Sequence, residues 1–95
     1  MKVYGEAAIM KFAKKYAASR KPLQRFLEVA RSADWPHFSA VRQTFAAADY
    51  APSTRTPIFD VGGNKYRIIT RVDFKEQLLF VESVMTHEEY NREDL

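Results

Sequence analysis

The spacing of apolar residues changes once along this chain, from a helical period to an alternating one, and that change limits the folds open to it. Between residues 6 and 18, Ile9, Phe12, Ala13 and Tyr16 recur at i, i+3, i+4 and i+7, one face of a helix. Lys11, Lys14 and Lys15 lie off that face. Ser19-Arg20-Lys21 is a brief link, and Pro22 suits the first turn of a second helix, where its missing N–H costs nothing. Leu23, Phe26, Leu27 and Ala30 repeat the spacing there. Two amphipathic helices on so short a link predict an antiparallel hairpin. Asp34-Trp35-Pro36 closes this unit, and Phe38, Val41 and Phe45 fit one face of a third, short helix. Residues 46–57, with two prolines, read as a loop.

From Ile58 onward the pattern is that of strands. Ile58-Phe59-Asp60-Val61 is a short apolar run, and Gly62-Gly63-Asn64 is turn chemistry, since Gly and Asn accept positive φ at little cost. Tyr66, Ile68, Thr70 and Val72 then alternate with Arg67, Ile69 and Arg71. A second turn near Lys75-Glu76-Gln77 leads into another β-rich run, Leu78 to Met85. Residues 86–95 are polar and read as a short helix or tail, and residues 1–4 suffice only for a short first strand. The expected fold class is α+β, with N-terminal helices packed on one face of a small antiparallel sheet. The other face is left open, and a binding site would lie there.

At 95 residues the chain is expected to form one domain. It has no cysteine, so disulfides, zinc–cysteine sites and thiol nucleophiles are excluded together. Its longest apolar runs are too short to span a bilayer, and no run of signal-peptide length follows Met1, so a cytoplasmic location is expected. The formal net charge of +3 permits a polyanionic partner. The basic residues are concentrated at the front: eight Lys or Arg against two Glu in residues 1–31, then five basic against seven acidic residues in 61–95. Such a front suits phosphates or an acidic partner, or is simply the solvated side of the helices.

Phe59-Asp60-Val61-Gly62-Gly63-Asn64-Lys65-Tyr66-Arg67-Ile68-Ile69 resembles a signature of the HigB-type toxins, part of the wider RelE-like group of bacterial toxin–antitoxin systems. Val84-Met85-Thr86-His87-Glu88-Glu89-Tyr90 is similar to the closing Thr-His-x-Glu-Tyr of that family. Ala33-Asp34-Trp35 and the stretch from Phe45 to Asp49 also sit where the family has similar residues. The resemblance implies a curved sheet with helices on one side. It also implies an mRNA interferase acting on mRNA translated on the ribosome. A HigA-like helix-turn-helix antitoxin would neutralise it, and operator DNA would be reached only through that antitoxin. Two positions depart from the pattern: Gly63 stands where a lysine is common, and Asp60 where asparagine is common. Both lower the local positive charge.

RNA cleavage without a metal or other cofactor needs a base for the 2′-hydroxyl, a charge stabiliser for the phosphate and an acid for the leaving 5′-oxygen. Arg67 is the candidate stabiliser, because its planar guanidinium holds two phosphate oxygens at once. Its other possible role is a surface ion pair with an acid such as Glu82. His87 and Tyr90 are the proton-handling candidates; three residues apart, they share a face of a helical turn. Tyr90 can equally anchor the C-terminal segment over the sheet. Lys65 and Arg71 are candidate RNA-backbone contacts, and Asn64 is a turn residue or an RNA contact. His37 is expected to be structural or exposed. His87-Glu88-Glu89 lacks the second histidine of a zinc-protease helix. A non-catalytic RNA- or protein-binding module, such as a decayed toxin, is the alternative.

Overall fold

A computed structural model describes residues 1–51, 56–63 and 65–92. Its elements are β1 (Lys2–Tyr4), α1 (Glu6–Lys15), α2 (Arg20–Ser32), α3 (Phe38–Thr44), β2 (Asp49–Ala51), β3 (Thr56–Val61), β4 (Tyr66–Asp73), β5 (Leu78–Thr86) and α4 (His87–Arg92). The strands form one sheet in the order β1-β5-β4-β3-β2. β2 to β5 pair antiparallel, whereas β1 joins the edge of β5 in parallel, so the sheet is mixed. The α+β arrangement expected from the change of period is present. The parallel edge strand arises because α1 and α2 intervene between β1 and the rest of the sheet, the crossover that parallel pairing requires.

Two local expectations need correction. The first helix stops at Lys15, where Tyr16 leaves helical dihedrals, and Ala17–Ser19 form a 3-10 turn into α2. Residues 46–57 are not all loop: Asp49–Ala51 form an edge strand, and β3 begins at Thr56. Pro57 pairs with Tyr50, and its carbonyl accepts a hydrogen bond of 2.8 Å from the buried Thr70 hydroxyl. The proline therefore sits within the sheet near its edge, where a missing donor is tolerated. Residues 52–55, including Ser53 and Thr54, lie outside the described residues. Of the two forms expected for the C-terminal segment, the short helix is the one present, His87–Arg92.

The two faces of the sheet separate by alternation, as predicted for β4. Phe59, Val61, Tyr66, Ile68, Leu79 and Val81 pack against α1 and α2, with Ile9, Phe12, Leu23 and Phe26 opposite. At the centre, the Phe59 ring lies 4.9 Å from Phe26, 5.3 Å from Phe45 and 5.9 Å from Trp35. Each fully buried ring of this kind contributes about 1.5–3 kcal/mol. The opposite face carries a smaller cluster, Ile58 and Ile69 with Met85 and Tyr90 against them.

Alternation in β5 is broken once. Ile69 pairs with Ser83 but Thr70 pairs with Val81, so Glu82 is an extra residue, a β-bulge. Without it, Leu79 and Val81 could not share the core face with Val84. The bulge thus places Met85 beside Arg67 on the open face. Gly5 and Gly62 serve close approaches. A Cβ on Gly5 (φ 84°) would meet the Val81 carbonyl oxygen at 2.5 Å, and one on Gly62 (φ 66°) would meet the Tyr66 ring at 2.7 Å. No helix among the described residues is long and apolar enough to cross a membrane.

Candidate active site

The open face acquires its polar centre from strand register. Asp60 on β3 pairs directly with Arg67 on β4, and alternation turns both away from the helices. Arg67 donates to the Asp60 carboxylate at 2.7 Å, with both side chains only 11% exposed. Partial burial raises the Asp60 carboxyl above its ordinary value, while the neighbouring Arg67 charge pulls it back. The acid at Arg67 is therefore Asp60 and not Glu82. Glu82 pairs instead with Arg71, at 3.3 Å.

His87 and Tyr90 reach Arg67 from α4, and the start of that helix is held by a reciprocal cap. Glu89 donates its backbone N–H to the Thr86 hydroxyl at 3.1 Å, and Thr86 donates its backbone N–H to the Glu89 carboxylate at 2.9 Å. This is a capping box, which satisfies two donors at the helix start. The Thr and Glu of the Thr-His-x-Glu-Tyr block thus serve the structure, because their cap orients the turn that carries His87 and Tyr90. The His87 backbone N–H continues the ladder to the Lys65 carbonyl at 2.8 Å.

Arg67 Nη2 lies 2.8 Å from His87 Nδ1. A guanidinium has no acceptor, so Nδ1 receives this bond with its lone pair and the ring proton resides on Nε2. Nε2 is 3.2 Å from the Asn91 side-chain amide, which accepts that proton when its oxygen is turned toward the ring. The Arg67 guanidinium carbon lies 5.4 Å from the centre of the Tyr90 ring, within cation–π range. Asp60, Arg67, His87 and Tyr90 therefore form one connected group.

This group borders a cleft of ≈ 370 Å³. It is lined by Ile58, Asp60 and Arg67 of the sheet, Tyr90 of α4, Arg42 of α3 and residues 46–49. The structure brings together three of the residues chosen from sequence, Arg67, His87 and Tyr90. Lys65 is exposed, and its backbone carbonyl meets the group through the His87 N–H. Arg71 lies four residues along β4, roughly 13 Å away at strand spacing. Its side chain is 73% exposed, pairs with Glu82 and sits 5.3 Å from the Phe80 ring centre. Asn64 lies outside the described residues. His37 is exposed and its Nδ1 contacts the Ser39 hydroxyl at 2.7 Å.

Sequence reasoning missed Arg42 and Asn91, and saw Asp60 only as a lost positive charge. The Asn91 contact had a signal, its place four residues after His87 on a helix. Arg42 had none, because the fold alone brings α3 beside the open face. Among the described residues, no three His, Asp or Glu side chains gather as a metal-ligand set.

A family model described as HigB toxin, RelE-like toxic component of a toxin–antitoxin system, matches residues 19–93. The match spans α2 through α4 and includes every member of the site. The chain is 26% identical over 93 residues to the mRNA interferase HigB of Escherichia coli O6:H1 (strain CFT073), covering 97% of this chain and 90% of that one. It is 44% identical over 34 residues to the mRNA interferase toxin HigB of Escherichia coli (strain K12), covering 36% of this chain and 33% of that one. The mRNA interferase HigB of Shigella flexneri gives the same figures. With a helix-backed sheet carrying the Arg67 group on its open face, and a family match across most of its length, this chain belongs to the HigB toxin family, the RelE-like toxic components of toxin–antitoxin systems.

Proposed function

We propose that this chain is a metal-independent endoribonuclease that cleaves mRNA during translation in the cytoplasm. A HigA-like antitoxin holds it inactive, and operator DNA is reached only through that antitoxin. In this reading the RNA 2′-hydroxyl attacks the adjacent phosphorus and gives up its proton, and the bond to the 5′-oxygen breaks. The products are a 2′,3′-cyclic phosphate and a 5′-hydroxyl end. Arg67 stabilises the added negative charge on the phosphate. His87 and Tyr90 handle the two protons, and Lys65, Arg71 and Asn64 hold the RNA backbone.

The observation that carries this is the Arg67 guanidinium, almost buried, fixed by Asp60 and His87, and bordering a cleft. A preorganised cation of this kind stabilises developing charge with little rearrangement. The relatives, named mRNA interferases, point the same way. When phosphate draws Arg67 away from Nδ1, that nitrogen is released to accept a proton, and Nε2 already carries one to share.

One observation favours a second reading. The Asp60 carboxylate already occupies part of the Arg67 fork, as it would in a binding module that no longer cleaves. The two separate on induction of the chain alone in bacteria. The nuclease arrests growth, recovers when its antitoxin is supplied, and loses toxicity as Arg67→Ala. A module with no activity leaves growth unchanged in all three cases.

A further inference from the structure

The cleft beside Arg67 has a second cation that the proposed chemistry leaves unused. Arg42 lies in the last turn of α3, is exposed, and lines the same cleft as Arg67. Among the described residues it forms no ion pair. The two carboxylates near it are engaged. Asp60 holds Arg67 at 2.7 Å, and Asp49 accepts the Tyr50 N–H at 2.7 Å. Ala46, Ala47, Ala48 and Tyr90 line the same cleft as the two arginines. The Tyr90 ring beside Arg67 offers a face to a planar group, and base-on-tyrosine stacking accepts any base. The volume, ≈ 370 Å³, lies within the range of small-ligand sites and holds about one nucleoside.

We infer that Arg42 is a substrate-binding residue that grips the phosphate neighbouring the scissile one, with the intervening nucleoside in the cleft against the Tyr90 ring. This rests on the reading of Arg67 as the scissile-phosphate contact. The ligand class is single-stranded RNA. Arg42 binds by charge and geometry rather than by reading a base, because a guanidinium fork fits phosphate oxygens. It therefore contributes equally for every sequence.

Steady-state cleavage of mRNA on programmed ribosomes tests this. Arg42→Ala raises KM about tenfold with kcat within about twofold, lowers the salt slope by about one, and leaves the cut-site profile unchanged. Arg42→Lys recovers part of the affinity. An unchanged KM overturns the inference, as does a fall in kcat alone. A shifted cut-site profile also overturns it, since Arg42 would then be reading a base. Binding of a programmed mRNA with 2′-deoxyribose at the cut site gives the same contrast without chemistry. If the wild-type chain cuts nothing yet binds that mRNA about tenfold better than Arg42→Ala, the cleavage reading fails and the Arg42 contact stands. Equal binding by the two removes the Arg42 contact. Arg42 is exposed, so a thermal melt matching wild type separates these outcomes from misfolding.

Discussion

Asp60 and Arg67 face each other across adjacent strands, 2.7 Å apart and only 11% exposed, so the charge at the centre of the site is balanced before any substrate arrives. Removing one partner of such a pair leaves the other uncompensated, which typically costs about 3–5 kcal/mol. Asp60→Ala is expected to lose that amount in urea denaturation. Asp60→Asn keeps an acceptor for Arg67 and loses much less.

The same pair has a signature in pH. Burial raises the Asp60 carboxyl above its ordinary value, so the folded chain holds that proton more tightly than the unfolded one. The stabilisation this gives is present below the unfolded value and is lost as pH rises through the folded value. Wild type therefore loses stability relative to Asp60→Asn as pH rises from below the ordinary carboxylate range to neutrality. Paired denaturation curves across that window check the sign. A gap moving the other way would mean that Arg67 outweighs desolvation.

The capping box ties a helix only six residues long to the placement of His87 and Tyr90. Thr86→Ala removes a hydroxyl cap worth about 1 kcal/mol, a loss the fold can bear. Cleavage is expected to fall at least about tenfold, because a displaced reacting group costs far more in rate than in stability. Thr86→Ser retains both. Far below the melting temperature, equal cleavage by wild type and Thr86→Ala would show that α4 needs no cap to act.

Gln77 offers a test of the core far from the site. Its side-chain nitrogen donates to the carbonyls of Trp35 at 2.8 Å and Phe74 at 2.7 Å, and its oxygen accepts the Trp35 N–H at 3.2 Å. It also adopts a positive φ of 58°. Gln77→Ala loses the clamp and keeps the strained backbone, at a cost of about 2–3 kcal/mol. Gln77→Gly loses the clamp but relieves the left-handed conformation, worth about 1 kcal/mol. Denaturation midpoints should therefore rank wild type, then Gly, then Ala.

The parts legible in the sequence were those set by local period. Ile9, Phe12 and Tyr16, or Tyr66, Ile68 and Val72, face the core because spacing alone decides their side. Arg67, His87 and Tyr90 were legible through two motif blocks. Strand register and the Thr86–Glu89 cap join them; the cap leaves a Thr-x-x-Glu spacing in the sequence, whereas register leaves no local mark. The edge strand Asp49–Ala51 was hidden because three residues carry no period. The bulge at Glu82 was hidden because one extra residue looks like a break in alternation rather than its repair. The Asp60 pairing required register, and Arg42 required the tertiary position of α3.

The central claim, that Arg67 stabilises the phosphate during mRNA cleavage, is tested most directly by mapping mRNA 5′ ends after inducing the chain alone in bacteria, with Arg67→Ala beside it. Wild type is expected to create new 5′-hydroxyl ends within translated reading frames, and Arg67→Ala to reduce them about 100-fold or more. Equal cleavage by the two chains, or growth arrest by wild type with no new ends, would contradict the account.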